Sequence, residues 1–179
     1  MLAALAPHAE RGLPVVGLEP SCLLTLRDEF KAMLPGAGSE ALAGRALLFE
    51  EFLEREGNAG RLNLNLAALP EKRALLHGHC HQKAFGAMSS VQRVLGLVPE
   101  LEVETIESSC CGMAGSFGYE AELYDVSLKM AELSLMPKVR AAGSDTLIVA
   151  DGTSCRHQIG DLSTRKPVHV ARVLARALA

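Results

Sequence analysis

The chain has 179 residues, 49% hydrophobic and 22% charged, with a net charge of −3. That length allows one domain with a real core or two small fused halves, and the charge balance leaves no basic footprint for nucleic acid or anionic lipid. Tryptophan is absent and aromatics are only 4%, which argues against base-stacking platforms, and no apolar run reaches the ~18–20 residues of a membrane span.

Met1 to Glu10 lacks the basic flank and long apolar stretch of an export signal. A cytoplasmic protein with reduced thiols is therefore expected. Leu13-Pro14-Val15-Val16-Gly17-Leu18 predicts the first strand. Leu42, Ala46, Phe49 and Leu53 make an apolar stripe at helical spacing, with Glu50, Glu51, Glu54 and Arg55 around the other side. Gly57-Asn58-Ala59-Gly60 is the clearest loop and the candidate boundary. Ala74-Leu75-Leu76-His77-Gly78 and Leu101-Glu102-Val103-Glu104-Thr105-Ile106 predict two further strands. Tyr119, Leu123, Val126, Met130 and Leu133 form a second helical stripe, which Pro137 ends or kinks. Thr146-Leu147-Ile148-Val149-Ala150 reads as another strand, and Val168 to Leu178 as a terminal helix with Val170, Val173, Leu174 and Leu178 inward. This alternation predicts an α/β fold with a mainly parallel sheet flanked by helices on both faces.

An internal repeat accompanies the alternation. Val15-Val16-Gly17-Leu18-Glu19-Pro20-Ser21-Cys22 lines up with Ile148-Val149-Ala150-Asp151-Gly152-Thr153-Ser154-Cys155. Each segment is an apolar strand, then a carboxylate, two small or turn residues, Ser-Cys and a predicted helix. A cysteine at a helix N-terminus has its thiol pKa lowered by the dipole and the free N–H groups. These are traces of a pseudo-twofold repeat, yet the stretch before Cys22 is too short for counterparts of Cys80, Cys110 and Cys111. The chain is thus expected to be the C-terminal part of a longer protein.

Five cysteines without an export signal point to metal or redox work rather than a disulfide frame. Cys110 and Cys111 are adjacent, and a trans peptide spaces their Cα atoms ~3.8 Å apart, short of the ~4.4–6.8 Å a disulfide wants. A tight loop can instead aim both thiolates at one metal centre. Cys80, Cys110 and Cys155 each follow a predicted strand, and in an open parallel sheet those ends share one edge, where ligand sites form. Four unrelated packing thiols would leave the vicinal pair, the strand-end placement and the repeat unexplained. Four thiolates suffice for an iron–sulfur cubane or a tetrahedral zinc. His77-Gly78-His79-Cys80-His81 adds three imidazoles that could be ligands, donors to sulfur or proton partners, with surface or helix-capping duty as the ordinary alternative. Gly112, Gly115 and Gly118 fit neither the Gly-x-Gly-x-x-Gly nor the Walker spacing, and read as glycines that let the backbone wrap a metal group.

His79-Cys80-His81-Gln82-Lys83, Cys110-Cys111-Gly112-Met113-Ala114-Gly115 and Gly152-Thr153-Ser154-Cys155 resemble the second repeat of the cysteine-rich CCG domain. That domain occurs in the iron–sulfur subunit of glycolate oxidase, in heterodisulfide reductase and at the C-terminus of large FAD-linked D-2-hydroxyacid (D-lactate type) dehydrogenases. The last group is the most similar. Gly17-Leu18-Glu19-Pro20-Ser21-Cys22 looks like the tail of a first repeat. The resemblance implies residues 1–58 as that tail and 59–179 as a complete second repeat, packed as one compact unit. Family repeats end in Cys-x-x-Cys, but Gln158 and Thr25 stand where the last cysteines would be. A five-thiolate cluster is therefore not expected. The implied ligands are Cys80, Cys110, Cys111 and Cys155, with Gly112 and Gly115 approaching the cofactor. His79, His81 and His157 are further candidate donors, as is Cys22 through the pseudo-symmetry.

By this resemblance the chain is the electron-transfer module of a flavin-linked oxidoreductase that oxidises a 2-hydroxy acid such as D-lactate or glycolate. Its cofactor would be an iron–sulfur cluster of 4Fe-4S type, with zinc as the alternative, and FAD would lie on another domain or subunit. Flavin-binding and ferredoxin-like domains or subunits would be its partners, bringing it to the inner face of a membrane without a span of its own. Alone it is not expected to be catalytic. Two rivals remain: a structural zinc module for partner docking, and a metal-free thiol redox protein using Cys110 and Cys111.

Overall fold

A computed structural model describes residues 1–179, which divide into two compact units, Met1–Leu62 and Asn63–Ala179. The first unit runs α1 (Leu2–Glu10), β1 (Val15–Gly17), α2 (Pro20–Leu24), α3 (Glu29–Met33), α4 (Ala37–Ala43), β2 (Ala46–Leu48) and α5 (Phe49–Asn58). β1 and β2 pair in parallel, Val15 opposite Ala46 and Gly17 opposite Leu48. The apolar stripe through Leu42, Ala46, Phe49 and Leu53 is thus two helices with a strand between them, not one helix. α4 stops at Gly44, and pairing with β1 holds Ala46–Leu48 extended, a tertiary demand that overrides helical spacing. The Glu51 carboxylate then accepts the Leu48 N–H at 2.8 Å and starts α5.

The second unit runs β3 (Arg73–His77), α6 (Cys80–Ala84), α7 (Met88–Leu95), β4 (Glu102–Thr105), α8 (Tyr124–Glu132), α9 (Leu135–Ala141), β5 (Thr146–Ala150), α10 (Thr153–Asp161) and α11 (Val170–Ala177). Its sheet is parallel in the order β4-β3-β5, with Arg73 opposite both Glu102 and Thr146, and His77 opposite Ala150. β3 and β5 are buried on both faces, which is why they are continuous apolar runs. β4 is the edge, and its Glu-Val-Glu-Thr alternation matches one solvated face. Leu75, Ile148 and Ala150 share a face and pack with Ala131 of α8, Leu135, Met136 and Val139 of α9 and Ile159 of α10. The pleat turns Leu76, Leu147 and Val149 to the other face, and they are buried as well. The expected α/β architecture with a parallel sheet is observed.

Three helix expectations change. Tyr119, Val126 and Leu133 are exposed, and α8 buries Ser127 and Ala131 instead, because the chain becomes helical only at Tyr124. Pro137 does not end a helix. It lies in the first turn of α9, where its missing N–H forfeits no intrahelical bond. The terminal helix buries Val170, Val173 and Leu174 as expected, but Leu178 lies beyond its end and is exposed. No helix is long and apolar enough to cross a membrane.

Candidate metal centre

Parallel pairing brings the C-terminal ends of β3, β4 and β5 to one edge, and cysteine follows each of them, in the first turns of α6 and α10 and in the loop after β4. After β3, His79 caps α6. Its Nδ1 accepts the His81 N–H at 3.2 Å, while Gln82 Oε1 accepts the His79 N–H at 3.0 Å. That cap puts Cys80 in the first turn. Gln82 is fully buried and donates through Nε2 to Asp151 Oδ2 at 2.8 Å, and Asp151 Oδ1 accepts the Val170 N–H at 3.0 Å. One buried carboxylate therefore ties the α6 cap, the end of β5 and the start of α11.

After β4, the residues Ser108 and Ser109 are held to the β3–α6 segment. Lys83 Nζ donates to the Ser108 carbonyl and, at 2.9 Å, to the Ser109 carbonyl. The Cys80 thiol reaches the same Ser109 carbonyl at 3.6 Å, and His77 Nδ1 lies 2.8 Å from Ser108 Oγ. Cys110 and Cys111 follow, and the chain turns at Gly112, whose φ is 95°. A Cβ there would stand 2.3 Å from the Ser127 carbonyl oxygen and 3.0 Å from Gln158 Nε2. Gln158 is buried and donates to Ser127 Oγ at 3.0 Å. Gly115 also has positive φ, at 69°, but open space around it. After β5, Gly152 permits close approach, since a Cβ would lie 2.3 Å from His79 Cδ2 and 3.2 Å from Cys155 Sγ. Cys155 is the third residue of α10, as Cys22 is the third of α2.

Cys80, Cys110, Cys111 and Cys155 form a connected row. Cys110 sits far below the ordinary thiol range, because the Cys111 and Cys80 thiols donate to it together with the N–H groups of Gly112 and Ala114. Cys155 is held down at about 5 by its neighbour Cys111, with help from His77, against the effect of burial. Cys111 is pushed up by its neighbours Cys110 and Cys155 and by burial, and Cys80 is pushed up by Cys110 and burial. Cys110 and Cys155 are thus shifted toward the thiolate, and Cys80 and Cys111 toward the thiol. Cys111 and Cys155 are buried, while Cys80 and Cys110 are partly exposed.

Of the imidazoles, His77 is the one whose ring nitrogen joins two thiols. The His77 nitrogen, Cys111 Sγ and Cys155 Sγ all lie within 4.8 Å of one another, and all three residues are buried. His77 Nε2 has no oxygen or nitrogen hydrogen-bond partner. Two soft thiolates beside an imidazole with an orphaned nitrogen suit a thiophilic or borderline metal, so the residues present fit such a group. His79 spends Nδ1 on the α6 cap, His81 stacks on it with centroids 5.3 Å apart, and exposed His157 pairs with the Tyr119 hydroxyl at 2.9 Å. Cys22 is an exposed residue of the first unit. The resemblance gives His79, His81 and His157 as the candidate imidazoles and leaves His77 out. The signal that could have singled it out is the strand period, which sets it on the same face as Leu75.

The chain is an α/β protein with a histidine–cysteine cluster, able to hold a metal, at the C-terminal edge of a parallel sheet. No protein-family model and no solved structure matches it. It is 31% identical over 169 residues to a component of the anaerobic glycerol-3-phosphate dehydrogenase of Escherichia coli K12, covering 94% of this chain and 41% of that one. It is also 30% identical over 154 residues to D-2-hydroxyglutarate dehydrogenase of the same strain, covering 84% of this chain and 14% of that one. The Pseudomonas putida D-2-hydroxyglutarate dehydrogenase is 29% identical over 174 residues, with 93% and 15% covered. The chain therefore spans less than half the length of these relatives, and both kinds of relative are oxidoreductases by name.

Proposed function

We propose that this chain is an iron–sulfur electron-transfer module of a flavin-linked oxidoreductase acting on a 2-hydroxy acid. The observation that carries the reading is the gathering of free cysteines at one sheet edge, with Cys111 and Cys155 beside His77, in a chain similar to portions of two dehydrogenases. Cys80, Cys110, Cys111 and Cys155 would hold the cluster, which when bound supplies one-electron acceptance and donation. The protein's own part is to keep the ligands oriented and the potential tuned. Gly112 and Ala114 N–H groups stabilise charge on Cys110, Lys83 fixes the loop ahead of it, and burial shields Cys111 and Cys155 from water. Partly exposed Cys80 and Cys110 leave that end of the row open to a redox partner.

The D-2-hydroxyglutarate relatives support a 2-hydroxy acid such as D-lactate or glycolate, and the glycerol-3-phosphate relative shares with them an anionic substrate bearing a secondary alcohol. In this reading FAD and ferredoxin-type clusters reside on partner domains or subunits, the first unit is the tail of a preceding repeat, and the assembly works in the cytoplasm at the inner face of a membrane. A structural zinc site is the second reading, favoured by the compactness of the His77, Cys111 and Cys155 donors. A tetrahedral ion with bonds of ~2.0–2.3 Å separates its donors by only a few ångströms. Metal analysis with absorption and EPR spectra of anaerobically reconstituted protein decides between them. Roughly four irons per chain and a reducible signal support the cluster. Stoichiometric zinc with a featureless visible spectrum supports the structural site, and protein that takes up neither metal refutes both.

A further inference from the structure

The geometry points to His77 as a metal ligand of this centre, giving through Nε2 a nitrogen donor beside Cys111 and Cys155. The inference rests on the metal-site reading above and adds a ligand to its all-cysteine set. Three observations carry it. His77 ends β3 fully buried, so its polar atoms cannot turn to water. Its two nitrogens have different surroundings: Nδ1 has Ser108 Oγ at 2.8 Å, whereas Nε2 is buried with no oxygen or nitrogen to bond to. The donor atoms of His77, Cys111 and Cys155 lie within 4.8 Å of one another.

An unpaired buried ring nitrogen is costly in an apolar protein interior and inexpensive beside a metal that takes its lone pair. The Ser108 contact is what a ligand imidazole needs on its far side, because Nδ1–H donation to an oxygen fixes the tautomer with the Nε2 lone pair free. Lys83 and Cys80 hold the same Ser108–Ser109 segment through its carbonyls, so the orienting hydroxyl and Cys110 are positioned together. The strand end is closed at the next residue by the first side chain of α7, since a Cβ on Gly78 would lie 2.4 Å from Met88 Sδ. The backbone carrying His77 therefore has little room to shift. Nitrogen ligation would distinguish this centre from an all-thiolate one by its net charge, one unit less negative for each thiolate that an imidazole replaces.

The test loads the full chain anaerobically with cobalt(II) alone, a paramagnetic stand-in for ferrous iron or zinc, in protein carrying 15N-labelled histidine. Pulsed EPR reads nitrogen coupling, and the near-ultraviolet thiolate-to-cobalt band reads sulfur ligation. The expected result is a strong thiolate band together with histidine 15N coupling in the unmodified protein. In His77→Gln the coupling should vanish, the thiolate band should persist, and cobalt affinity should fall by at least ~10-fold, as losing an orienting partner alone costs 10–100-fold. A thiolate band without histidine coupling in the unmodified protein overturns the ligand assignment and leaves the metal site standing. Coupling that survives in His77→Gln also overturns it. No cobalt band at all overturns this inference, while the iron and zinc analysis decides the metal-site reading separately. The measurement on unmodified protein stands even if His77→Gln does not fold.

Discussion

Gly112→Ala tests the packing of the cysteine loop most directly. The new Cβ would stand 2.3 Å from the Ser127 carbonyl oxygen, a backbone atom of α8, and 3.0 Å from Gln158 Nε2. Carbon–oxygen contacts normally stay beyond ~3.3 Å, so about 1 Å must be recovered by moving the loop or the helix. Overpacking of that kind costs ~1–3 kcal/mol. The φ of 95° adds strain for any residue with a Cβ, worth another ~1–3 kcal/mol. Gly115→Ala is the internal control, because its φ of 69° is in the left-handed region and nothing lies within 4 Å. Its cost should be ~1 kcal/mol, from conformation alone. The two variants should then differ by about 3 kcal/mol, or ~6–12 °C in melting temperature for a chain of this size. Thermal and urea melts followed by far-ultraviolet circular dichroism measure this. Equal destabilisation by the two substitutions would refute the claimed contact between the loop and α8.

Asp151→Ala should cost ~2–5 kcal/mol, because it leaves the buried Gln82 amide and the Val170 N–H without their acceptor. Urea unfolding reads it, and a loss under ~1 kcal/mol would count against the shared carboxylate. Glu71 is held below the usual carboxylate range by the Arg176 guanidinium at 2.7 Å. Its folded pKa is depressed, so the pair stabilises above the unfolded value of ~4.3 and the effect is lost as pH falls through the folded value. Arg176→Gln should flatten that acid limb by no more than ~1 kcal/mol, since Arg176 is exposed and Glu71 only half-buried, and an unchanged acid limb would mean the pair contributes nothing. In metal-free protein, iodoacetamide at pH 6 should alkylate partly exposed Cys110 before Cys80, whose thiol is pushed up. Peptide mass spectrometry gives the order, and the reverse would contradict the opposite shifts of Cys110 and Cys80.

Residue pattern is enough to place the main strands, the class of fold and the edge where the cysteines meet. β3 and β5 are legible because strands buried on both faces must be apolar throughout, and parallel pairing then gathers their C-terminal ends whatever the loops do. The small residue at position 112 is legible as well, since only glycine fits a backbone turned to positive φ against another backbone. Ala46–Leu48 is different: its spacing is helical, and it becomes a strand only through pairing with β1. The imidazole that faces the sulfurs is likewise set by long-range contacts. Near Cys80 three histidines are equivalent as residue types, and their roles separate only through partners distant in sequence: Ser108 for His77, Gly152 packed against the ring of His79. His77 is fixed beside the sulfurs with its Nδ1 against Ser108, and that partner comes from another strand's loop.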